Sequence, residues 1–328
     1  MYDVITVGSA TVDVFLKTKF SELIKIIDPK GETDLLAFPS GSKILIDELE
    51  FSTGGGGTNT AVAFSRLGHK TAFLGKLGQG TNSDFIHKNM VKEKIDLLCA
   101  HGKGNAGYSI ILDTLEHDRT ILTHKGINDD LKNKDIPYRK LKTKWFYFSA
   151  MMEESFRTLE KLAEFARQNG IKIAFNPSTY LAEKGYQHLK NILSSTELLV
   201  LNREEACLLA GKDSIVNILQ KLKSFGPKIA AVTDGKNTLY VADKKHAYTC
   251  FPPPVKIVDA TGAGDAFAAS FLSGIIRKND IEFAIKLGVT NAQSVVAHYG
   301  AKNVLLGYNG AIKAMKKLKI KIHKKLIG

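Results

Sequence analysis

The chain has 328 residues and 44% hydrophobic content, a length and composition that can bury a full α/β core and carry a small appended unit. Its net charge of +13 comes without zinc-ligand spacing or an aromatic-rich RNA-binding signature, so we expect no specific nucleic-acid partner. No apolar run approaches eighteen residues, and the three cysteines lack metal-ligand spacing and cannot all pair. We therefore expect a cytoplasmic protein that does not enter a membrane.

The first predicted strand runs from Val4 to Val12 and ends at Asp13. A carboxylate that follows a buried strand needs hydrogen-bond partners, and sugar hydroxyls can supply them. After it come a predicted insertion, Phe20 to Asp34, and a partly alternating, strand-like segment, Lys43 to Phe51.

Four consecutive glycines, Gly54 to Gly57, precede a helix that starts at Asn59 and stops at Gly68. Glycine runs are entropically costly, so they predict either close approach to a ligand or a hinge. Asn59 offers a donor and an acceptor to whatever approaches. The alternative is a flexible loop with Asn59 as a helix cap.

Two further strands, Tyr108 to Leu112 and Thr120 to His124, are joined through the polar turn Glu116 to Arg119 and predict an antiparallel lid. Short apolar strands then alternate with helices such as Glu153 to Asn169 and Ile215 to Phe225, which predicts a parallel sheet covered on both faces. These strands are Trp145 to Ser149, Ile171 to Phe175, Glu197 to Leu201 and Ile229 to Thr233.

Ligands of such sheets bind at the carboxyl ends of strands, where this chain places Asp13, Asn176, Asn202 and Thr233. Asn202 and Glu205 have the spacing of a helix capping box. The carboxy-terminal lysines, from Lys313 to Lys325, alternate with apolar residues and predict a solvated helix followed by an irregular tail.

The segment Asp259 to Asp265 holds two glycines and two carboxylates directly before an apolar helix. Small residues at 262–264 let backbone N–H groups converge on an anion at a helix amino terminus. Asp265 would repel that anion, but it suits a proton acceptor for an attacking hydroxyl. The alternative is a glycine-rich helix entry with Asp265 in its first turn.

The two glycine clusters, in this order and separation, resemble the PfkB/ribokinase family of carbohydrate and nucleoside kinases from Gly8 to about Gly300. The resemblance implies a ribokinase-like three-layer α/β/α fold with a mostly parallel sheet and a small β-sheet lid. It implies a large domain (about 1–13, 54–96 and 126–328) and a discontinuous lid (about 14–53 and 97–125).

The resemblance also implies site residues. Asp265 is the catalytic base, and the backbone of Gly262, Ala263 and Gly264 stabilises the transferred group. Asp13, Gly54, Gly55 and Asn59 bind the acceptor. Asn202, Thr233, Gly235, Lys236, Gly262, Gly264 and Asn291 bind the nucleotide. Glu205 organises Mg²⁺ largely through water, and Asp259 is a candidate ligand of a monovalent cation such as K⁺.

The implied activity is transfer of the ATP γ-phosphoryl group to a sugar hydroxymethyl group, as in ribokinase or fructokinase. In ribokinases proper a lysine follows the glycine pair, where this chain has Gly56. A nucleoside kinase acting on adenosine, cytidine, inosine or guanosine stays open, with Phe15, Phe38, Phe51 and Tyr108 as candidates to stack the base. Arg119 is a candidate to add positive charge on closure, and the lid is a candidate homodimer interface.

Two readings lie outside this class. A dinucleotide-binding oxidoreductase would need a glycine pattern that Gly8 to Thr11 lacks. A basic nucleic-acid-binding protein with an inactive kinase fold is opposed by the intact Asp265 and its glycines.

Overall fold

The computed structural model describes residues 1–20, 22–28, 31–113, 119–298 and 300–327. Its centre is a ten-stranded sheet in the order β18-β17-β16-β15-β14-β13-β12-β1-β6-β8, parallel from β15 to β8 and antiparallel from β15 to β18. These strands are β1 Tyr2–Val7, β6 Thr71–Leu74, β8 Asp96–Leu97, β12 Thr143–Phe148, β13 Lys172–Phe175, β14 Thr196–Asn202, β15 Ile229–Thr233, β16 Leu239–Ala242, β17 His246–Phe251 and β18 Lys321–Leu326.

Helices cover both faces of this sheet. They are α1 Gly56–Arg66, α2 Thr81–Lys92, α3 Glu153–Gln168, α4 Ser178–Ala182, α5 Gly185–Leu193, α6 Arg203–Ala210, α7 Ile215–Ser224, α8 Ala263–Lys278, α9 Ile281–Val296 and α10 Tyr308–Lys317. Three 3₁₀ turns, Gly126–Asp130, Asn133–Asp135 and Tyr138–Lys140, precede β12.

Neighbouring residues of each central strand are buried in different cores, as the two-residue period of a strand requires. In β12, Tyr147 packs in a core with side chains of α1, α8 and α9, whereas Phe148 packs in a second core with α3, α5, α6 and α7. The continuous apolar strands are therefore explained by burial on both faces. The predicted three-layer α/β/α fold with a mostly parallel sheet is confirmed.

A second, four-stranded sheet, called the small sheet below, has the order β11-β10-β2-β5. Its strands are β2 Thr11–Lys17, β5 Glu48–Gly54, β10 Gly107–Asp113 and β11 Arg119–His124. The predicted antiparallel pair is present as β10 and β11. The predicted insertion contains a hairpin of β3 Glu22–Asp28 and β4 Gly31–Ala37, and the short strands β7 Lys76–Leu77 and β9 Ala100–His101 pair with each other.

The helix predicted to start at Asn59 begins three residues earlier, at Gly56. Three further sequence predictions of elements are wrong. The strand predicted from Lys43 begins only at Glu48, because its partner β2 ends at Lys17, the residue paired with Glu48. Asp13 does not end a strand, since the chain bends between β1 and β2 and Asp13 lies inside β2.

The third error is the irregular carboxy-terminal tail, which instead forms β18 along β17 with six paired residues on each strand. All three lysines of β18 are exposed, and Ile322 is the one partly buried residue of the strand, where it packs against the core, so the strand keeps the lysines in solvent.

Residues 116–118 of the predicted lid turn lie outside the described residues. Arg119 begins β11, but its side chain, and with it the predicted closing charge, lies outside what the structure describes. No helix in the described ranges combines the length and apolarity needed to cross a bilayer.

Candidate active site

The loop before α8 is built for close approach of a ligand. Gly262, the residue before the helix, has φ 77°, and a Cβ there would lie 2.4 Å from the Cβ of Ala301, so both backbone angle and space require glycine. At Gly264, no atom lies within 4 Å of where a Cβ would be, so the space beside it is open. Glycine there is not required by packing within the chain.

The amino terminus of α8 presents free backbone donors. Among the described residues, the N–H groups of Gly262, Gly264 and Asp265 have no hydrogen-bond acceptor. The N–H of Ala263, predicted to join them, instead donates to the Ala260 carbonyl oxygen at 3.2 Å. An anion at this helix end would therefore meet unpaired donors and the positive end of the helix dipole.

Asp265 lies in the first turn of α8 and is held by Asn59, whose Nδ2 donates to its Oδ2 at 2.9 Å. Burial raises the pKa of Asp265 to about 6, opposed by the hydrogen bond from Asn59 and by the charge of Lys302, while Asp13 raises it further. A carboxylate with this pKa is largely ionised at pH 7 and is still basic enough to accept a proton.

Asp13 lies in β2 of the small sheet and is 6% exposed. Thr11 Oγ1 donates to its Oδ1 at 2.8 Å. Burial raises the pKa of Asp13, and the hydrogen bonds from Thr11 and Ser109 and the charge of Lys302 oppose that rise. A buried carboxylate in this state needs further polar partners to be stable.

The glycine run packs where larger residues cannot. A Cβ at Gly54 would lie 1.8 Å from Asp13 Oδ2, and Gly55, with φ 93°, would place a Cβ 2.5 Å from the Ser9 carbonyl oxygen. Gly57 contacts the Gly8 backbone, with a Cβ position 2.9 Å from its Cα. These contacts within the chain explain the glycines at 54, 55 and 57, and the predicted close approach of a ligand stays a prediction.

Two buried polar atoms next to this run have no partner among the described residues, Asn59 Oδ1 and Ser149 Oγ. Ser149 Oγ lies 3.0 Å from the position of a Cβ at Gly56, on the side where Gly56 also approaches Asp265 Oδ1. Because buried polar groups are almost always paired, each of these two atoms is a candidate hydrogen-bond partner of a polar ligand.

A cavity of about 420 Å³ opens from Asp265 toward the carboxyl ends of β14 and β15. Glu205, 7% exposed, reaches its wall through the predicted capping box, in which Asn202 N donates to Glu205 Oε2 at 2.9 Å and Glu205 N donates to Asn202 Oδ1 at 2.8 Å. Burial raises the pKa of Glu205. The cavity is lined by Ser9, Gly56, Lys125, Ser149, Asn176, Tyr180, Asn202, Glu205, Thr233, Gly262, Gly264 and Asp265, among others.

A second cavity of about 510 Å³ adjoins the first at Gly264 and is mostly apolar. Three predicted nucleotide-binding residues, Thr233, Gly235 and Lys236, form one side, and Phe267 and Val296 are among the apolar residues of the other. An apolar pocket next to an anion-binding helix end suits a nucleotide base beside its phosphates.

Asn291 does not reach this cavity. It is fully buried, its Nδ2 donates to Ser270 Oγ at 2.8 Å, and its Oδ1 accepts from Leu306 N at 2.9 Å. The neighbouring residues Ala292 and Gln293 line the cavity instead. The predicted contact of Asn291 with a nucleotide has no support in this geometry.

The Asp259 carboxylate accepts hydrogen bonds that stabilise the loop before α8, and it lines neither cavity. Its Oδ1 accepts from Thr261 N at 2.8 Å and from Thr261 Oγ1 at 2.6 Å, and its Oδ2 accepts from Gly300 N at 3.1 Å. In the described part of the chain, no group of three or more His, Cys, Asp or Glu side chains is placed to hold a metal ion.

Comparison with known proteins agrees with this geometry. Residues 19–306 match the model of the pfkB family carbohydrate kinases. The chain belongs to this family. It is a phosphotransferase that acts on hydroxyl groups of sugars or nucleosides, with ATP as co-substrate.

Curated relatives differ in substrate. A ribokinase of Staphylococcus aureus is 27% identical over 310 residues, 91% of this chain and 95% of that protein. A cytidine kinase of Thermococcus kodakarensis is 27% identical over 278 residues, 81% and 94% of the two chains. An uncharacterized sugar kinase of Archaeoglobus fulgidus is 28% identical over 250 residues, 74% and 98%.

Solved structures show the same fold. A ribokinase from Thermotoga maritima has a TM-score of 0.80 and 21% identity, covering 96% of this chain and 100% of that one. An adenosine kinase from Sinorhizobium meliloti has a TM-score of 0.81 and 21% identity, covering 95% and 99%. At these identities the likeness concerns the fold alone.

Sequence reasoning missed three polar side chains of this pfkB-family site, Ser149, Lys125 and Lys302. Ser149 directly follows β12, so the rule that selected Asn176 and Asn202 could have found it. Lys125 lines the cavity that opens from Asp265, with its Nζ 4.1 Å from the centre of the Tyr180 ring. Lys302 lies in a loop with no motif, and only the tertiary structure brings it to the site.

Proposed function

We propose that this pfkB-family kinase transfers the γ-phosphoryl group of ATP to a hydroxymethyl group of a sugar. The observation that carries the proposal is the Asp265 carboxylate, held by Asn59 at the donor-rich end of α8 where the two cavities meet. This places a base with a pKa of about 6 beside an anion site. Proton acceptance and charge stabilisation are therefore available at one point.

In the proposed reaction, Asp13 and Asn59 orient the acceptor, and Asp265 takes the proton of its hydroxymethyl oxygen as that oxygen attacks the γ-phosphorus. The bond from the γ-phosphorus to the β,γ-bridging oxygen breaks, and ADP leaves with the electron pair. The unpaired N–H groups of Gly262, Gly264 and Asp265 stabilise charge on the transferred group. The nucleotide base occupies the apolar cavity beside Thr233, Gly235 and Lys236, with Asn202 near the phosphates.

The register of the small sheet supports a hydroxyl-rich acceptor. Asp13 is paired with Ser52 on one side and Ser109 on the other, and Ser109 is paired with Thr123, so one row across this face is polar. Directly paired residues share a face of a sheet. A row of hydroxyls beside a carboxylate matches the several hydroxyls of a sugar.

The aromatic candidates for stacking a nucleoside base are mostly placed elsewhere. Phe51 pairs with Val14 and Tyr108 with Val12, so both share the face opposite to Asp13. Phe15 is on the same face as Asp13, two residues along β2. Nucleosides, the substrate class of the cytidine kinase relative, remain the second candidate acceptor because of Phe15.

Mg²⁺ fits this site chemically. Mg²⁺ binds with few carboxylates together with water and phosphate oxygens, and Glu205 is the carboxylate on the cavity wall away from Asp265. When bound, the ion would neutralise phosphate charge. A monovalent cation such as K⁺ beside Asp259 is also proposed, although the Asp259 carboxylate already accepts hydrogen bonds from Thr261 and Gly300.

The small sheet is proposed to act as a lid that excludes water from the site. The division into a large domain and a lid, at the boundaries given above, is part of this proposal. The small sheet is also proposed to form a homodimer interface. Leu49 and Phe51 of its edge strand β5 are 53% and 55% exposed, and an exposed apolar edge favours pairing with another chain. A cytoplasmic location and the lack of a specific nucleic-acid partner stay predictions.

The test is an ADP-release screen over pentoses, hexoses, inositols and nucleosides, with ³¹P NMR of the product to locate the phosphate. We expect a sugar to give the highest kcat/KM and the phosphate to be on a primary hydroxyl. The Asp265→Asn variant is the control for contaminating kinases. A nucleoside as best acceptor would replace the sugar assignment, and no acceptor-dependent ADP release would overturn the proposed function.

A further inference from the structure

Lys302 is a buried lysine on a loop that is fastened to the catalytic elements. Its side chain is 5% exposed. Its carbonyl oxygen accepts from Arg66 Nη1 at 2.7 Å, and the preceding residue, Ala301, packs against Gly262. The loop between α9 and α10 therefore holds the Lys302 backbone against both α1 and the anion loop.

The Lys302 ammonium enters the site from behind the first turn of α1. Nζ donates to Thr58 Oγ1 at 3.2 Å, and Thr58 Oγ1 in turn donates to the Gly54 carbonyl oxygen at 2.5 Å. The segment from Gly54 to Thr58 also contacts both carboxylates, through Gly54 at Asp13 and Gly56 at Asp265. One short segment thus joins the ammonium and the two acids.

This position is costly for an isolated cation. A buried ammonium loses its hydration, and the amino terminus of a helix carries partial positive charge that repels it. The two buried carboxylates nearby, Asp13 and Asp265, also lose hydration when they are ionised, and their charge is negative. The three groups stabilise one another because the positive charge of Lys302 offsets the negative charges of Asp13 and Asp265, and the segment from Gly54 to Thr58 has no charged side chain of its own.

We propose that Lys302 is a positioning residue of the acceptor site, which keeps Asp13 and Asp265 ionised so that one can bind the acceptor hydroxyl and the other can take its proton. The inference rests on the proposed function, because it assigns both carboxylates the roles given above. Lys302 does not touch the reacting atoms; it acts through these two acids.

The electrostatics of the neighbouring groups agree with this role. Burial lowers the pKa of Lys302 to about 7, while Asp13, Asp265 and Glu93 raise it and Arg66 lowers it. In return, Lys302 lowers the pKa of both carboxyl groups. Asp265 also raises the pKa of Glu205 and of Tyr147, so Lys302 is a cation near a base that has further acidic groups within electrostatic reach.

The experiment compares Lys302→Met and Lys302→Gln with the wild type in full pH profiles and in ¹³C NMR titrations of the Asp carboxyl groups. We expect the decline of kcat/KM at acidic pH to begin about one pH unit higher in these variants, because loss of a nearby cation raises a carboxyl pKa. Acceptor KM should rise about tenfold or more while ATP KM is unchanged. The carboxyl titrations of Asp13 and Asp265 should move in the same direction.

Lys76→Met is the matched control, since Lys76 is equally buried but pairs with Asp130 and Asp135 away from the site. It should lower thermal stability without moving the decline of kcat/KM at acidic pH. Unchanged titrations of Asp13 and Asp265 in both Lys302 variants would overturn the inference even in an active kinase. Shifted titrations would support it even if the acceptor screen failed, which separates this inference from the proposed function.

Discussion

At the scale of single residues, the proposed chemistry depends on the pKa of the Asp265 carboxyl group, which lies close to neutral pH. Burial raises the pKa of Asp265 to about 6, whereas the hydrogen bond from Asn59 Nδ2 limits that rise. A more exposed aspartate would be a weaker base, and a more deeply buried one without Asn59 would stay protonated at pH 7. Asn59 thus acts on the base as well as being a candidate acceptor ligand.

Asp265→Asn removes the proton acceptor but preserves shape. We expect turnover to fall by about 10² to 10⁴-fold with ATP binding retained, measured by ADP release and calorimetry. A folded carboxyl pKa above the ordinary 3.8 costs stability wherever the unfolded state is ionised, so this variant should also unfold at a higher temperature, with a gain that grows between pH 3.8 and about 6 and is constant above that. A variant with more than about half of wild-type turnover would exclude Asp265 as the base.

The pH dependence has a definite sign. Protonated Asp265 cannot accept a proton, so kcat/KM should fall as pH drops through about 6 and should be lost on the acid side. Initial rates from pH 5 to 9 measure this decline, and a flat profile below pH 6 would contradict the assignment.

Asp13→Ala should weaken acceptor binding and leave the nucleotide unaffected. Loss of hydrogen bonds to a charged group costs about 1.5–3 kcal/mol, which corresponds to a rise in acceptor KM of roughly 10- to 100-fold. The ATP affinity, measured separately by calorimetry, should be unchanged because the nucleotide cavity lies beyond Gly264. Equal loss of both affinities in a folded variant would remove Asp13 from the acceptor side.

At the scale of elements, the start of α1 is where the small sheet meets the central one. Gly54 ends β5 against Asp13, Gly55 turns the chain with positive φ, and Gly57 packs on Gly8 at the end of β1. These contacts explain the glycines without any motion. Their predicted role as a hinge of a closing lid stays a prediction.

Gly54→Ala tests this junction, because its Cβ would collide with the Asp13 carboxylate. We expect acceptor KM to rise at least about tenfold, with a smaller change in ATP KM, since Asp13 must move. Gly310→Ala is the control, because Gly310, like Gly54, has no positive φ, and a Cβ there would meet only Leu306 at 3.9 Å. If both variants have the acceptor KM of the wild type, the contact between Gly54 and Asp13 does not contribute to acceptor binding.

At the scale of the whole molecule, the basic carboxy-terminal segment is structural. Strand β18 extends the central sheet beyond β17, and α10 packs through Ala311 on Leu67 and Leu287. The lysines of this segment are exposed on α10, on β18 and between them, and β18 covers the edge of β17. A surface of this charge attracts nucleotides at long range, an effect that salt screens.

Truncation after Leu318 removes β18 and exposes the edge of β17. We expect a melting temperature lower by about 4 °C or more and faster aggregation, because an unpaired edge strand invites pairing between molecules. The control replaces Lys324 and Lys325 by threonine in the full chain, which removes charge and keeps the strand. A truncated protein as stable as the full chain would show that β18 contributes nothing to the sheet.

The sequence by itself determined the layered α/β fold and the motif with Asp265, because apolar strands at short intervals must be buried on both faces and glycines before a helix leave backbone donors free. It also located Asn202, Glu205, Thr233 and Gly235, since strand ends meet at one edge of a parallel sheet. These signals are local or periodic, so they can be detected without knowing which distant segments touch.

Only the tertiary structure showed which distant residues contact one another and which are buried. It paired Asn59 with Asp265, 206 positions apart, placed Asp13 inside β2 rather than after β1, and turned the terminal lysines into β18. It also buried Asn291 and brought Lys302 beneath α1. Burial and partners across such separations depend on how the layers pack, and neither residue type nor spacing encodes them.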